Sequence, residues 1–485
     1  MNVLAAPRSG APPLGLAGRT LVTSAAVVGG AAVAWLVAAD AWYVAVALLL
    51  SVPLVVVANR NPMIAITVWL VVMPLVVETD SGATRRLFWL VHRAMPLGMV
   101  LLLVVTASGA IATRRLPRLG LPEALMGAYV VVSTLSIAYT SNAPVATFYT
   151  LYDRVIAPMC LYLVVRLAAP GEAQIRRLGP VVFLLLMQTA IAIVSWSAPG
   201  MLPAAWLGKV GERTVGSLRS PDVFGTTMIF CAMFLLQAAM TARSSAPRVR
   251  GILLFSIAMV MTFMTFSRAS WLAGAVALFG AMLVYRGFVK QLVVILLLAV
   301  PVVIASGVLE EQLDFARARL TSQESEYTAL SRLPVLYAAV RMFEDKPVLG
   351  FGYENFDRYD RAYQQRVGNL VYPDDKDLSS HNLYLTTLAE QGIVGFALLL
   401  GAPFVWLTRT LSRVRKMPRA GFANQRFVAA MWLVVTAHIV VNNFSRMQSP
   451  FGFGMWWLTL GLIATVVDRA TDPRPRLAEV RTVAP

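Results

Sequence analysis

Apolar runs of about bilayer-spanning length recur along nearly the whole chain. A spanning helix needs about 20 predominantly apolar residues. Runs of this kind lie near 21–39, 41–58, 62–78, 94–113, 121–139, 147–167, 178–198, 222–241, 249–266, 268–285, 291–308, 383–408, 427–444 and 450–467. The runs 62–78 and 450–467 are the shortest, and such a pair could be re-entrant. The pattern predicts an all-α, polytopic transmembrane helix bundle of 12–14 spans. Only one polar interval is long, residues 309–382. Within it Leu333, Leu336, Tyr337, Val340 and Phe343 recur at offsets of three and four, predicting a helix. Pro347 and the turn Gly350-Phe351-Gly352 close it. One amphipathic helix above a bundle suggests a lid packed onto the membrane domain. The expected organisation is eleven spans over 1–308, a loop or lid over 309–382, and C-terminal spans with a tail over 383–485. No repeat or separate soluble domain is visible.

Composition supports this reading. Hydrophobic residues make up 58% of the 485 and charged residues only 14%, more apolar surface than a soluble core can hide. The net charge of +17 would suggest nucleic acid in a soluble protein, but here the basic residues serve as topology markers, and no nucleic-acid partner is expected. With a cytoplasmic N-terminus, inside loops hold 24 of the 42 basic residues, short outside loops hold eight, the long loop nine, and Arg154 lies within a span. The comparison of 24 with 8 puts both termini inside and the long loop outside. Arg8 and Arg19 ahead of the first apolar run fit an uncleaved first helix. Cys160 and Cys231 lie inside apolar runs without ligand spacing.

Five arginines then stand near the outer ends of spans: Arg154, Arg213, Arg219, Arg268 and Arg446. Outward positive charge runs against the insertion preference, so these are functional candidates. Arg268 sits where two apolar helices meet with almost no loop, which holds its guanidinium at the membrane surface. Arg213 and Arg219 flank Gly216 and precede Pro221, a turn that could bring arginines and backbone N–H groups toward one point. A guanidinium fork matches phosphate oxygens. His381 precedes Asn382, a good N-cap for the helix beginning at 383, and a neutral imidazole there can accept a hydroxyl proton. His92 falls in a short outside loop. His438 and Asn442, four residues apart, share a helix face suited to interhelical hydrogen bonding. Asp374-Asp375-Lys376-Asp377 resembles an Asp-x-Asp metal motif, but a loop with one clear helix lacks the alternating strand–helix domain that presents it. No metal is expected.

These residues resemble a known family. His381-Asn382, nine residues, then Gly392-Ile393-Val394-Gly395 looks like the signature of the O-antigen ligase and polymerase superfamily. Arg268-Ala269-Ser270-Trp271-Leu272 resembles its Arg-x-x-x-Leu element. Ser331-Arg332-Leu333 through Pro347–Phe356 is similar to its periplasmic-loop pattern. Arg213-Thr214-Val215-Gly216 and Pro221-Asp222 resemble an Arg-x-x-Gly…Pro-Asn pattern, with Asp222 replacing Asn. The resemblance covers roughly 200–400. It implies a bacterial inner-membrane glycosyltransferase of the C type, without cofactor, metal or nucleotide sugar. Its partners would be membrane lipid, a polyprenyl-diphosphate-linked glycan donor and a glycan or lipid acceptor. Arg268 and Arg213, with Arg219 second, would bind the diphosphate. His381 would be the base, positioned by Asn382, Gly392 and Gly395, and Arg332 would hold the lid over the donor. Attack opposite the leaving group would invert the anomeric centre. A ligase and a polymerase joining repeat units both fit. A transporter of anions or lipid-linked sugars is the rival, but it should show repeats and charges at mid-depth.

Overall fold

A computed structural model of the protein describes residues 57–58, 60–77, 82–108, 116–177, 179–203, 206, 209–210, 213–288, 290–291, 314, 317, 332–364, 380–445 and 449–469. The chain divides into residues 1–61 and residues 62–485. In the first unit only Val57, Ala58, Arg60 and Asn61 are described.

The protein is a multi-pass membrane protein built as a helix bundle. Eight helical segments among the described residues are long and apolar enough to cross a membrane: Gly82–Thr106, Leu121–Thr140, Glu172–Ser197, Pro221–Met240, Ser245–Phe263, Leu383–Lys416, Gln425–Asn442 and Pro450–Arg469. Met63–Val76 and Arg268–Val284 are shorter apolar helices. The run at 21–39 lies outside the described residues, as do 41–56 and 292–308 of the runs at 41–58 and 291–308. The only strands described, Lys209–Val210 and Arg213–Thr214, pair as a small antiparallel ribbon.

Two spans depart from regular helix. The run at 147–167 is broken into Pro144–Leu151, a π-turn Tyr152–Ile156 and Ala157–Ala168. A second π-turn, Trp89–Ala94, interrupts the helix that starts at Gly82. Each wide turn rotates its side chains out of the regular register. Arg93 reaches Asp153 through Nε and Nη2, both at 2.7 Å. His92 Nε2 lies 2.8 Å from the Asp153 carbonyl. The expectation for His92 is thereby corrected: it is fully buried within a helical segment, not in a short loop.

Pro450–Arg469, one of the two shortest runs, is the central helix, buried at every position from Phe451 to Val467. Its small residues let neighbours in. A Cβ on Gly454 would stand 2.3 Å from the Trp69 ring, and one on Gly461 would stand 3.2 Å from the Tyr162 carbonyl.

The two ends of the bundle are chemically distinct. At one end Arg166, only 2% exposed, bonds Glu123, Asp468 and the Arg118 carbonyl. Arg413 joins Asp468, and Glu172 accepts the Phe422 N–H. At the other end sit the hairpins 213–220 and 264–268 and the described part of the long interval. Its first helix, Leu333–Asp345, is present, but the face it buries is Val335, Ala338, Ala339 and Met342. Leu333 and Val340, which the periodicity marks as core, stay 40% and 38% exposed. Ala338 and Ala339 permit close approach, Val335 and Met342 fill the core beside them, and Leu336, Tyr337 and Phe343 of the spaced set are half-buried. A second helix, Phe356–Tyr363, follows and was not legible in the apolar spacing.

Candidate functional site

Three chain segments bring candidate residues to the loop-bearing end. The first begins at Arg213–Thr214, where the Thr214 N–H donates to the Met264 carbonyl at 3.2 Å. A 3-10 turn at Gly216–Leu218 follows. Gln188 clamps it, accepting the Ser217 N–H at 3.0 Å and donating to Ser217 Oγ at 2.7 Å. Gly216 has φ 55°, and a Cβ there would meet Gln188 Oε1 at 2.1 Å, so only glycine fits. Arg219 is left-handed as well, at φ 53°. Ser220 then caps the next helix, accepting from the Val223 N–H, with Pro221 in the first turn.

The second segment is the hairpin between Ser245–Phe263 and Arg268–Val284. Phe266 adopts φ 46°, and Ser267 caps the helix that Arg268 opens. Ser267 Oγ also donates to Asp222 Oδ1, tying this hairpin to the Pro221 helix. Arg268 and Arg219 are exposed and Arg213 is half-buried.

The third segment is Ser380-His381-Asn382. Asn382 Oδ1 accepts the Tyr384 and Leu385 N–H groups, both at 3.0 Å, and its Nδ2 donates to the Asn443 carbonyl at 3.1 Å. His381 stands at φ 50°, a conformation that costs a non-glycine residue energy and is found at functional sites. Its pKa is pushed down to about 4, chiefly by burial and then by the Arg332 charge, with Asp222 opposing. The imidazole is therefore neutral near pH 7. Arg332 itself donates to the Phe444 carbonyl at 3.2 Å.

Asp222 links the segments. It is bonded to the Ser267 cap just before Arg268, and its charge acts on His381. His381, Arg332, Asp222 and the start of the Arg268 helix thus share one neighbourhood, with the Arg213 strand attached through Met264.

Gly392 and Gly395 lie elsewhere. Gly392 lies nine residues beyond Leu383, where the helix begins, about 14 Å down the axis at 1.5 Å per residue. It breaks the helix Leu383–Arg413 with φ 60° and ψ −165°. The strap 347–352 docks against this break. Ile393 N–H donates to the Pro347 carbonyl, Val394 N–H to Val348, Phe351 N–H to Ala389, and Gly352 N–H to Glu390. Gly395 makes room for the Gln391 side chain, whose Cβ would be 2.2 Å from an added methyl.

A cavity adjoins the strap, lined among others by Tyr129, Arg154, Tyr353, Glu354, Glu390 and Gln391. Arg154 Nη1 pairs with Glu354 Oε1 at 2.7 Å. The Glu390-Gln391 pair was missed as a candidate because it sits in an otherwise apolar run. Its polarity at that depth was the available signal.

Other candidates fall away. His438 Nδ1 contacts the Val434 carbonyl of its own helix at 3.0 Å. Neither its Nε2 nor the Asn442 amide has a hydrogen-bond partner among the described residues, so the interhelical bond expected for them is not present there. Arg446 and Asp374–Asp377 lie outside the described residues. Among the described residues, no three His, Cys, Asp or Glu side chains gather as a metal site.

Residues 252–400 match the family model described as O-antigen ligase, under a third of the 485-residue chain. This supports the resemblance to the O-antigen ligase and polymerase superfamily. The matched stretch contains Arg268, Arg332, His381, Asn382, Gly392 and Gly395, and leaves out Arg213 and Arg219. No curated protein matches the chain.

Proposed function

We propose that this membrane protein is a metal-independent, inverting glycosyltransferase of the O-antigen ligase type. It moves a glycan from a polyprenyl-diphosphate carrier to an acceptor hydroxyl at the extracytoplasmic face of the bacterial inner membrane. The carrying observation is a neutral imidazole, His381, in one neighbourhood with the start of the Arg268 helix and with Arg332. The match to the O-antigen ligase model over 252–400 supports it. The basic-residue count favours placing this end outside, since the opposite end gathers Arg118, Arg166 and Arg413.

In this reading Arg268 and Arg213, with Arg219 beside them, hold the diphosphate. Negative charge grows on the diphosphate as the glycosidic bond breaks, and fixed guanidinium groups stabilise it. Arg332 holds the described part of the lid at the site and keeps the imidazole unprotonated. His381 accepts the acceptor's hydroxyl proton. A base of pKa about 4 is weak, but an arriving diphosphate dianion favours the imidazolium and raises that value toward the working pH. The new bond forms opposite the departing diphosphate, giving inversion.

The test is transfer from a purified polyprenyl-diphosphate oligosaccharide with acceptors added one at a time. His381→Ala should insert and fold normally yet transfer nothing; retained transfer rejects the base. Arg268→Lys keeps a charge without the fork and should lose at least about tenfold in rate. Parent-like rates would remove the bidentate argument.

A further inference from the structure

The segment Pro347-Val348-Leu349 joins the two lid helices, yet it presents large apolar side chains outward. Val348 is 58% exposed and Leu349 62%. Single exposed apolar residues are ordinary, but this pair is bonded to a membrane-spanning helix. The Pro347 and Val348 carbonyls accept the Ile393 and Val394 N–H groups, and Phe351 and Gly352 donate to the Ala389 and Glu390 carbonyls. Along that helix Ile393, Ala397, Phe404, Leu407 and Leu411 are exposed at helical spacing, the stripe that a span turns toward lipid. Val348 and Leu349, docked at Ile393, extend that stripe.

The depth of the strap follows from helix geometry. Arg409, whose guanidinium lies beside Gly120 at the opposite, charged end of the bundle, is 17 residues beyond Gly392, about 26 Å at 1.5 Å per residue. Gln391 also accepts a bond from Ser133 of the neighbouring span Leu121–Thr140. Ser133 is 13 residues from Gly120, about 20 Å. The hydrocarbon layer is about 30 Å thick. Both paths stop short of its far side, so the strap docks about 4–10 Å inside it. Irregular backbone is tolerated there only where its polar groups find partners, and the bonds to the helix supply them. Glu344, Asp345 and Lys346, immediately before Pro347, are exposed and set the limit of entry. These charges stay among the headgroups while the apolar pair that follows reaches the acyl chains. We propose that Pro347-Val348-Leu349 is a membrane-inserted wedge whose partner is the lipid acyl chains at this end, so that the lid is held to the bilayer as well as to the bundle. The inference does not depend on the glycan reading.

The test uses full-length protein in phosphatidylcholine liposomes, with nitroxide spin labels on Val348→Cys and Leu349→Cys in turn. Cys160 and Cys231 are buried, and the parent chain taken through the same labelling supplies the blank. Phe404→Cys on the exposed stripe is the lipid comparator, and Glu344→Cys the aqueous one. Power saturation reads collisions with oxygen, which concentrates in lipid, and with a neutral nickel chelate, which stays in water. Labels at 348 and 349 should favour oxygen as the label at 404 does, while the label at 344 should favour nickel. Nickel access at 348 and 349 equal to that at 344 would put the strap in water, and access to neither reagent would mean that protein covers it. Either result overturns the proposal. A second measurement needs no variant: the parent protein is reconstituted with a phosphatidylcholine carrying a diazirine in its acyl chain. Photolysis should attach lipid within residues 347–349, and a strap left unlabelled overturns the proposal as well.

Discussion

Replacing Gly392 by alanine tests how the strap is held. The backbone at 392 has φ 60° and ψ −165°, a region nearly closed to residues with a Cβ. A Cβ there would stand 2.3 Å from both the carbonyl carbon and oxygen of Val348, and 2.7 Å from the Leu349 nitrogen. These are backbone atoms, so no rotamer change relieves the contact. The strap must move, and moving it breaks the 2.8 Å bond from Ile393 N–H to Pro347 and the 2.6 Å bond from Gly352 N–H to Glu390. Strain and overpacking together cost about 2–5 kcal/mol. Since tenfold corresponds to about 1.4 kcal/mol, local opening should rise roughly 30- to 5,000-fold. Amide exchange at Phe351, Gly352, Ile393 and Val394 reads this directly, with transfer activity measured alongside. Gly127→Ala, with nothing within 4 Å of the added methyl, is the control and should leave these amides unchanged. If Gly392→Ala keeps parent-like protection at all four amides, the backbone-contact argument is wrong.

Two further perturbations probe the remaining charges. Arg166→Ala leaves Glu123, 6% exposed, without its buried cation and should cost about 3–5 kcal/mol; a melting temperature within a degree of the parent would refute that role. Arg332→Gln removes a charge that lowers the His381 pKa. The active imidazole is neutral, so activity is lost as pH falls through that pKa, and the acid limb of kcat/KM should move to higher pH. Asp222→Asn removes the opposing charge and should move the limb lower, and shifts of the reverse sign would exclude His381 as the titrating base.

Most of the bundle was legible because lipid imposes one rule, long apolar runs, that survives in sequence without any knowledge of packing. The rule fails where helices are irregular. Nothing in the hydropathy of 147–167 signals the π-turn at Tyr152–Ile156, within which Asp153 pairs with Arg93 of the other π-turn. The lid helix shows the same limit. Its period of 3.6 was readable, but the choice of Ala338, Ala339 and Met342 as the inward face depends on which neighbour comes close. At the candidate site, His381-Asn382 and the tight hairpin before Arg268 were readable as local chemistry. The role of Asp222 was not, since its partner Ser267 is 45 residues away.

The irregular positions also bear on how lid and site are coupled. Backbone broken inside a membrane bundle must find new hydrogen-bond partners, because lipid offers none. The break at Gly392 frees the Ile393 and Val394 amides, and the strap carbonyls of Pro347 and Val348 receive them. In return the Phe351 and Gly352 amides are satisfied by Ala389 and Glu390. Neither the helix break nor the strap is complete alone. The half-helix so held runs back to Asn382, whose cap fixes the turn that carries His381. Lifting the strap therefore breaks four backbone hydrogen bonds at once and loosens the element that aims the imidazole. A lid that opens freely, leaving His381 in place, is incompatible with this wiring. Amide exchange that lost protection at Gly352 and Ile393 while Tyr384 and Leu385 stayed protected would disprove it.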